Sequence, residues 1–196
     1  QGASSPQSLA RLTQVTRPGG LVRRAQYDLH TGIAVDVADE NGVVTTASAS
    51  DPLDRLREVV VANGTDAASA TRYLYDDTSR TITELRDVVA LEDGQLKVET
   101  RFDALGRETE RRTFEGASTF SSVFTGYDGL GRVVSVSNPK RNTEGGATQE
   151  TITAYDAAGR VTSVSTPDGA TTSSFYFGNE TLTVDPAGKR RRTLRD

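Results

Sequence analysis

The chain of 196 residues contains no cysteine, no methionine and no tryptophan, and a single histidine. Without cysteine there is no disulfide framework and no thiolate metal site. With one histidine, any Ser-His-Asp or Cys-His chemistry would have to use His30. Nothing around His30 supplies a nucleophile elbow or metal-ligand spacing. Aromatic residues make up 6% of the chain and hydrophobic residues 35%. That is thin for a filled two-layer sandwich. It suits a sheet with one buried face, or a shell around a large interior. No run of about 18 apolar residues occurs, so no helical membrane span is encoded. The formal net charge of −4 gives no bulk case for nucleic acid, which favours a basic protein. The chain starts Gln1-Gly2-Ala3, shows no signal peptide and stops at Asp196 inside a repeat, so it reads as a piece of a longer protein.

What the sequence does have is one phrase, written many times. Tyr155-Asp156-Ala157-Ala158-Gly159-Arg160 is followed by alternating β-branched and small polar residues up to Thr166, then by Pro167-Asp168-Gly169. Asp at the first position of a type I turn accepts from backbone N–H groups ahead of it, and Gly at the fourth tolerates positive φ. This is a hairpin closure with a glycine bulge. Tyr127-Asp128-Gly129-Leu130-Gly131-Arg132 and Phe102-Asp103-Ala104-Leu105-Gly106-Arg107 are close copies. Tyr75-Asp76 lacks the glycine, and Tyr27-Asp28 to Gly32 is one residue longer and lacks the arginine. Asp51 to Leu56 lacks both Tyr and Gly, and Gln7 to Leu12 is a faded copy. Phe177-Gly178-Asn179 aligns with Tyr75-Asp76-Asp77 as a further copy, and Arg195-Asp196 would open another. A self-similar period of this size dictates a repeat architecture.

The phrase, with a second glycine turn further on, resembles the YD repeat of RHS (rearrangement hot spot) proteins, relatives of insecticidal toxin-complex shells and teneurins. The expected fold is all-β, with tandem antiparallel β-hairpins forming one long curved strip. Physics supplies the curvature, because neighbouring strands are rotated and wide sheets curl. The resemblance implies that such a strip is part of a spiral β-shell. Residues 1–6 form a loose lead-in, and 7–196 an array of about seven to eight hairpins. Short stretches at 4–12 and 66–72 could hold a turn or two of helix. Glu58 to Val61 reads as a strand buried on both faces or as an inward bulge. Pro139 to Ala147 is the longest insertion and reads as a mobile loop.

A motif present in every repeat is structural, since an active site occurs once and a stacking device recurs. The expected stacking residues are Tyr27, Asp28, Gly32, Tyr75, Asp76, Phe102, Asp103, Gly106, Arg107, Tyr127, Asp128, Gly131, Arg132, Tyr155, Asp156, Gly159 and Arg160. The ring packs against the next hairpin, the Asp holds the turn, and the Arg lies along the ring or pairs with an acid. No catalytic residue, cofactor or metal site is expected. Asp36, Asp39, Glu40 and Asn41 have calcium-type oxygen ligands but lack the EF-hand order, and read as a turn. Lys189 to Arg192 alternates across a strand rather than forming one patch. Asp185-Pro186-Ala187-Gly188 is read as a turn, although the cores of RHS proteins often end in an aspartate-dependent self-cleavage sequence of this kind.

The resemblance implies a structural, non-enzymatic module of a large secreted or cell-surface protein. Its shell would enclose a C-terminal cargo or toxin domain. The alternative is an extracellular adhesion or carbohydrate-binding surface. Partners are then the neighbouring repeats, an enclosed domain or a carbohydrate, with no nucleic acid and no membrane span. Unpaired edge strands of the isolated piece would favour a homo-oligomer.

Overall fold

Thr, Ser and Val alternate between Gly-ended turns, and residues of this kind settle into half-buried strands. The computed structural model describes residues 11–195, and within them it has strands and turns but no helix. The chain divides into two units, residues 1–99 and 100–196. The first holds β1 (Gln14–Thr16), β2 (Val22–Tyr27), β3 (Ala34–Ala38), β4 (Val44–Ser48), β5 (Glu58–Val61), β6 (Ser69–Asp76) and β7 (Thr81–Arg86). Strand β8 (Leu96–Phe102) crosses the division. The second unit holds β9 (Glu108–Phe114), β10 (Phe120–Tyr127), β11 (Val133–Ser137), β12 (Lys140–Arg141), β13 (Glu150–Tyr155), β14 (Val161–Ser165), β15 (Thr171–Phe177), β16 (Glu180–Val184) and β17 (Arg190–Leu194).

Both units are antiparallel meanders. In the first, β1 to β7 pair strictly in chain order. In the second, β9-β10-β11-β13-β14-β15-β16-β17 do the same, and β12 adds beside β10. The expected all-β array of antiparallel hairpins is therefore the fold. Odd and even turns fall at opposite strand ends, so the Tyr-Asp turns within each unit share one end.

Neither unit has a conventional core. Ala70 is the one hydrophobic residue that is buried among those described, whereas Asp51, Glu110, Ser122 and Ser137 are also buried. Polar groups are thus the best-covered side chains, and each finds a partner. Glu110 accepts from Ser122 Oγ at 2.9 Å and from Arg112 Nε at 2.7 Å. Hydrophobic burial is divided among many half-covered side chains rather than concentrated in one place.

Three local expectations need correction. Strand β5 is not buried on both faces: its residues are half-covered and Val61 is exposed. A single sheet layer has nothing to lay over its second face. Residues 66–72 form a turn and then the start of β6, because a short Ala/Ser stretch cannot outweigh ladder pairing. The insertion after Pro139 is partly a strand, with Lys140 and Arg141 paired to Ser122 and Ser121. The lead-in at 1–6, the faded repeat beginning at Gln7, most of the 4–12 stretch and Asp196 lie outside the described residues.

Candidate functional site

The recurrent constellation begins with a defect in the sheet. Ladders that join one hairpin to the next stop short of the Tyr-Asp turns. The last registered pairs are Gln14↔Arg24, Glu58↔Arg72, Glu110↔Phe124, Ser135↔Ile152 and Ser163↔Ser173. In each case the tyrosine three residues further along the second strand crosses the gap. Its hydroxyl donates to a backbone carbonyl of the preceding hairpin, two residues beyond the last pair. The contacts are Tyr27 to Leu12 (3.2 Å), Tyr75 to Leu56 (2.7 Å), Tyr127 to Glu108 (2.8 Å), Tyr155 to Val133 (2.8 Å) and Tyr176 to Val161 (2.7 Å).

An arginine from the preceding repeat lies over each of these rings. The guanidinium carbon stands 5.3 Å from the ring centre for Arg11 on Tyr27, and 4.1 Å for Arg55 on Tyr75. The distances are 4.5 Å for Arg107 on Tyr127, 4.5 Å for Arg132 on Tyr155 and 4.4 Å for Arg160 on Tyr176. All are within cation–π range. The ring therefore packs against the preceding hairpin, not the next one as the sequence suggested. The arginine sets that direction, because its own turn points it forward.

The turn aspartate aims the arginine. Asp128 Oδ1 accepts from the backbone N–H of Leu130 and Arg132, each at 2.9 Å, while Oδ2 accepts from Arg132 Nε at 2.7 Å. Asp103 and Asp156 repeat this set with Arg107 and Arg160. The turn closes from Gly131 N to Asp128 O at 3.0 Å and from Asp128 N to Arg132 O at 2.9 Å. Gly131 sits at φ +82°, as the bulge requires. The carboxyls of Asp103, Asp128 and Asp156 are all held below the ordinary carboxylate range. The backbone N–H of the following arginine is the main cause; burial opposes it and the guanidinium reinforces it.

The Asp51 turn, a degraded copy in the sequence that lies outside the expected stacking residues, keeps the full turn chemistry. Asp51 binds Leu53 N, Arg55 N and Arg55 Nε at 2.9, 2.7 and 2.8 Å, the same pattern without a glycine. Asp54 takes the left-handed place at φ 56°. Arg55 also forks onto Asp77 of the following turn at 2.6 Å. Spacing was the available signal, since Arg55 stands four residues after Asp51 as Arg107 does after Asp103. Arg11 and Tyr176 were missed as well. The ring that closes the last step is Tyr176, and Phe177, one residue on, is exposed.

The Asp28 and Asp76 turns differ from the rest. Their left-handed residue comes one position later, at Gly32 (φ 75°) and Arg80 (φ 53°). Asp28 and Asp76 still accept from the backbone ahead of them, through Thr31 N at 2.7 Å and Ser79 N at 3.0 Å. Phe102 occupies a ring position but has no hydroxyl to donate.

Residues 155–190 match the RHS Repeat family. The chain thus carries a recognisable RHS repeat over these residues. The matched stretch runs from the rung tyrosine Tyr155 into β17 and contains the Asp156–Arg160–Tyr176 rung. No curated protein matches the chain. Among solved structures, it is similar to a chain in the crystal structure of TcdB2-TccC3-Cdc42, at 12% identity and a TM-score of 0.49. That likeness covers 94% of this chain and 12% of the other, so this chain spans about an eighth of that protein's length.

The remaining candidates are occupied by turn chemistry. Asp39 Oδ1 accepts from Asn41 N and Val43 N, Asp36 accepts from Thr46 Oγ1, and Glu40 pairs with Arg17. Among the described residues no group of three or more metal-ligating side chains forms. Asp185 closes its turn through Gly188 N and Lys189 N, at the strand end opposite the rungs. The arginines of β17 alternate faces: Arg190 and Arg192 oppose Val184 and Leu182, and Arg191 opposes Thr183. His30 is a surface residue 3.6 Å from Asp54.

Proposed function

We propose that this chain is a structural repeat module: a segment of wall in the hollow β-shell of a large secreted or cell-surface protein, enclosing a C-terminal cargo or toxin domain. The observation that carries the reading is the Arg-on-Tyr rung. It recurs at five steps and spends the chain's recurrent chemistry on joining hairpins. The tyrosine, aspartate and arginine residues named from the sequence act as the stacking device. The work of the module is mechanical, and no catalytic role is assigned to any residue. The RHS-repeat match over residues 155–190 supports the shell reading, and the enclosure is inferred from it. Limited proteolysis of the full-length parent protein tests this. A downstream domain that resists protease until the repeats are unfolded is the expected result. A domain cut as fast in the parent as when expressed alone sinks the reading.

One observation favours an adhesion or carbohydrate surface as the second reading. Phe124, Phe175 and Phe177 are exposed, and strand alternation places them on the face of the second unit opposite Tyr176. The rung tyrosines already carry guanidinium groups, so these phenylalanines are the rings that remain open to a sugar. Glycan-array binding that is lost in Phe175→Ala favours this reading over the first.

A further inference from the structure

We propose that the step between the Asp28 and Asp51 turns is an unlatched seam, the place where neighbouring hairpins part first. This rests on reading the rung as the latch. Both halves of the rung are missing there at once. The Asp28 turn ends in Gly32 and Ile33, with no arginine after the glycine. On the facing strand, the ring position is Ala49 by ladder register from the Asp36↔Thr46 pair, or Ser50 by its place before Asp51. Neither residue has a ring, and the β3–β4 ladder stops at Asp36↔Thr46 just as the other inter-hairpin ladders stop. The splay is therefore present without its closure.

The β3–β4 ladder ends with Thr46 Oγ1 donating to Asp36 Oδ1 at 2.8 Å, and beyond that pair, at the turn end of the seam, the contact that does cross is weak. His30 Nε2 lies 3.6 Å from Asp54 Oδ2, and the side chains are 85% and 55% exposed. An ion pair so open to water contributes little and needs a protonated imidazole. The two flanking steps are latched, by Arg11 on Tyr27 before the seam and by Arg55 on Tyr75 after it. The second of these is further tied by the Arg55–Asp77 fork. An interruption between two intact rungs concentrates local opening in one place, because each repeat interacts only with its neighbours.

Native-state hydrogen exchange on the 196-residue chain tests this. Amides in 33–37 and 45–50 are expected to show protection factors at least about ten-fold below those in 108–111 and 123–127, the corresponding segments of the latched β9–β10 step. Equal or greater protection at 33–37 and 45–50 overturns the seam. The variant Tyr127→Ala separates this failure from failure of the rung itself. It is expected to bring 108–111 and 123–127 down towards the seam's level while leaving β16 and β17 protected. If exchange in those segments does not change, the rung is no latch and the proposal falls with it. Tyr127→Phe, which keeps the ring and loses only the hydroxyl, is expected to fall between the two.

Discussion

The aspartate in each of the Asp51, Asp103, Asp128 and Asp156 turns acts at two distances. One carboxylate oxygen caps two backbone N–H groups of its own turn, and the other fixes the arginine that covers the next hairpin's ring. Local turn geometry and inter-hairpin contact thus depend on the same side chain. The left-handed position between them is where single substitutions speak most clearly. Gly131 lies at φ +82°, and a Cβ there would meet only Arg107 Nη1 at an ordinary 3.6 Å. Crowding is not the issue; the backbone is. Gly131→Val should destabilise by about 1–2 kcal/mol through left-handed strain alone. An unchanged thermal midpoint would refute that. Asp54 occupies the equivalent place at φ 56°. Asp54→Gly should therefore stabilise, by on the order of 1 kcal/mol at most, since the contact it gives up with His30 is exposed. A lower denaturation midpoint for this variant would mean that the Asp54 side chain matters more than its backbone.

At the level of the hairpin, ring and guanidinium act as one closure over the end of a ladder. Stacking of this kind contributes about 0.5–2 kcal/mol, and the hydroxyl-to-carbonyl bond about 1 kcal/mol. Tyr155→Phe keeps the stack and removes only the bond to Val133, so a loss of about 1 kcal/mol is expected in chemical denaturation. In a double-mutant cycle, Tyr155→Ala and Arg132→Ala should be strongly non-additive, because each loses the same contact. Additive losses would detach the arginine from the ring. The hairpins and their turns were legible in the sequence, because Asp, Gly and alternation are local signals. The direction of the rung was not, because it depends on where an inter-hairpin ladder stops. Tyr176 was displaced by its neighbour Phe177 for the same reason. The spacing of turns varies, and only ladder register decides which ring meets Arg160. The copy at 51–56 was visible, but Asp51 and Arg55 fall outside the expected stacking set because the expected glycine is replaced by Asp54, whose short polar side chain tolerates the left-handed region.

For the molecule as a whole, the scarcity of buried hydrocarbon shifts the burden to polar contacts made in every repeat. With Ala70 as the one buried hydrophobic residue among those described, no central core couples distant hairpins. Stability then accumulates from neighbour to neighbour. Carboxylates stand at many of those contacts, and they make acid the condition that strikes all repeats together. Asp51 is held low chiefly by the Arg55 side chain, and Asp103, Asp128 and Asp156 chiefly by backbone N–H groups. Asp93 is lowered to about 2, first by the N–H of Ala90 and then by those of Val89, Val88 and Gln95, against the cost of burial. A group whose folded pKa lies below its unfolded value binds more protons when unfolded. Its stabilisation is complete above the unfolded value near 4 and is lost as pH falls through the folded one. The chain should therefore hold a flat thermal midpoint from about pH 7 to pH 5 and lose stability progressively between about pH 4 and pH 2. Exchange in the 87–95 loop should be among the last to rise, because Asp93 must be protonated first. Circular-dichroism melts across this range, with hydrogen exchange read by segment, check both statements. A midpoint that keeps rising as pH falls below 4 would show that relief of charge repulsion, not loss of the turn carboxylates, governs the acid behaviour of the array.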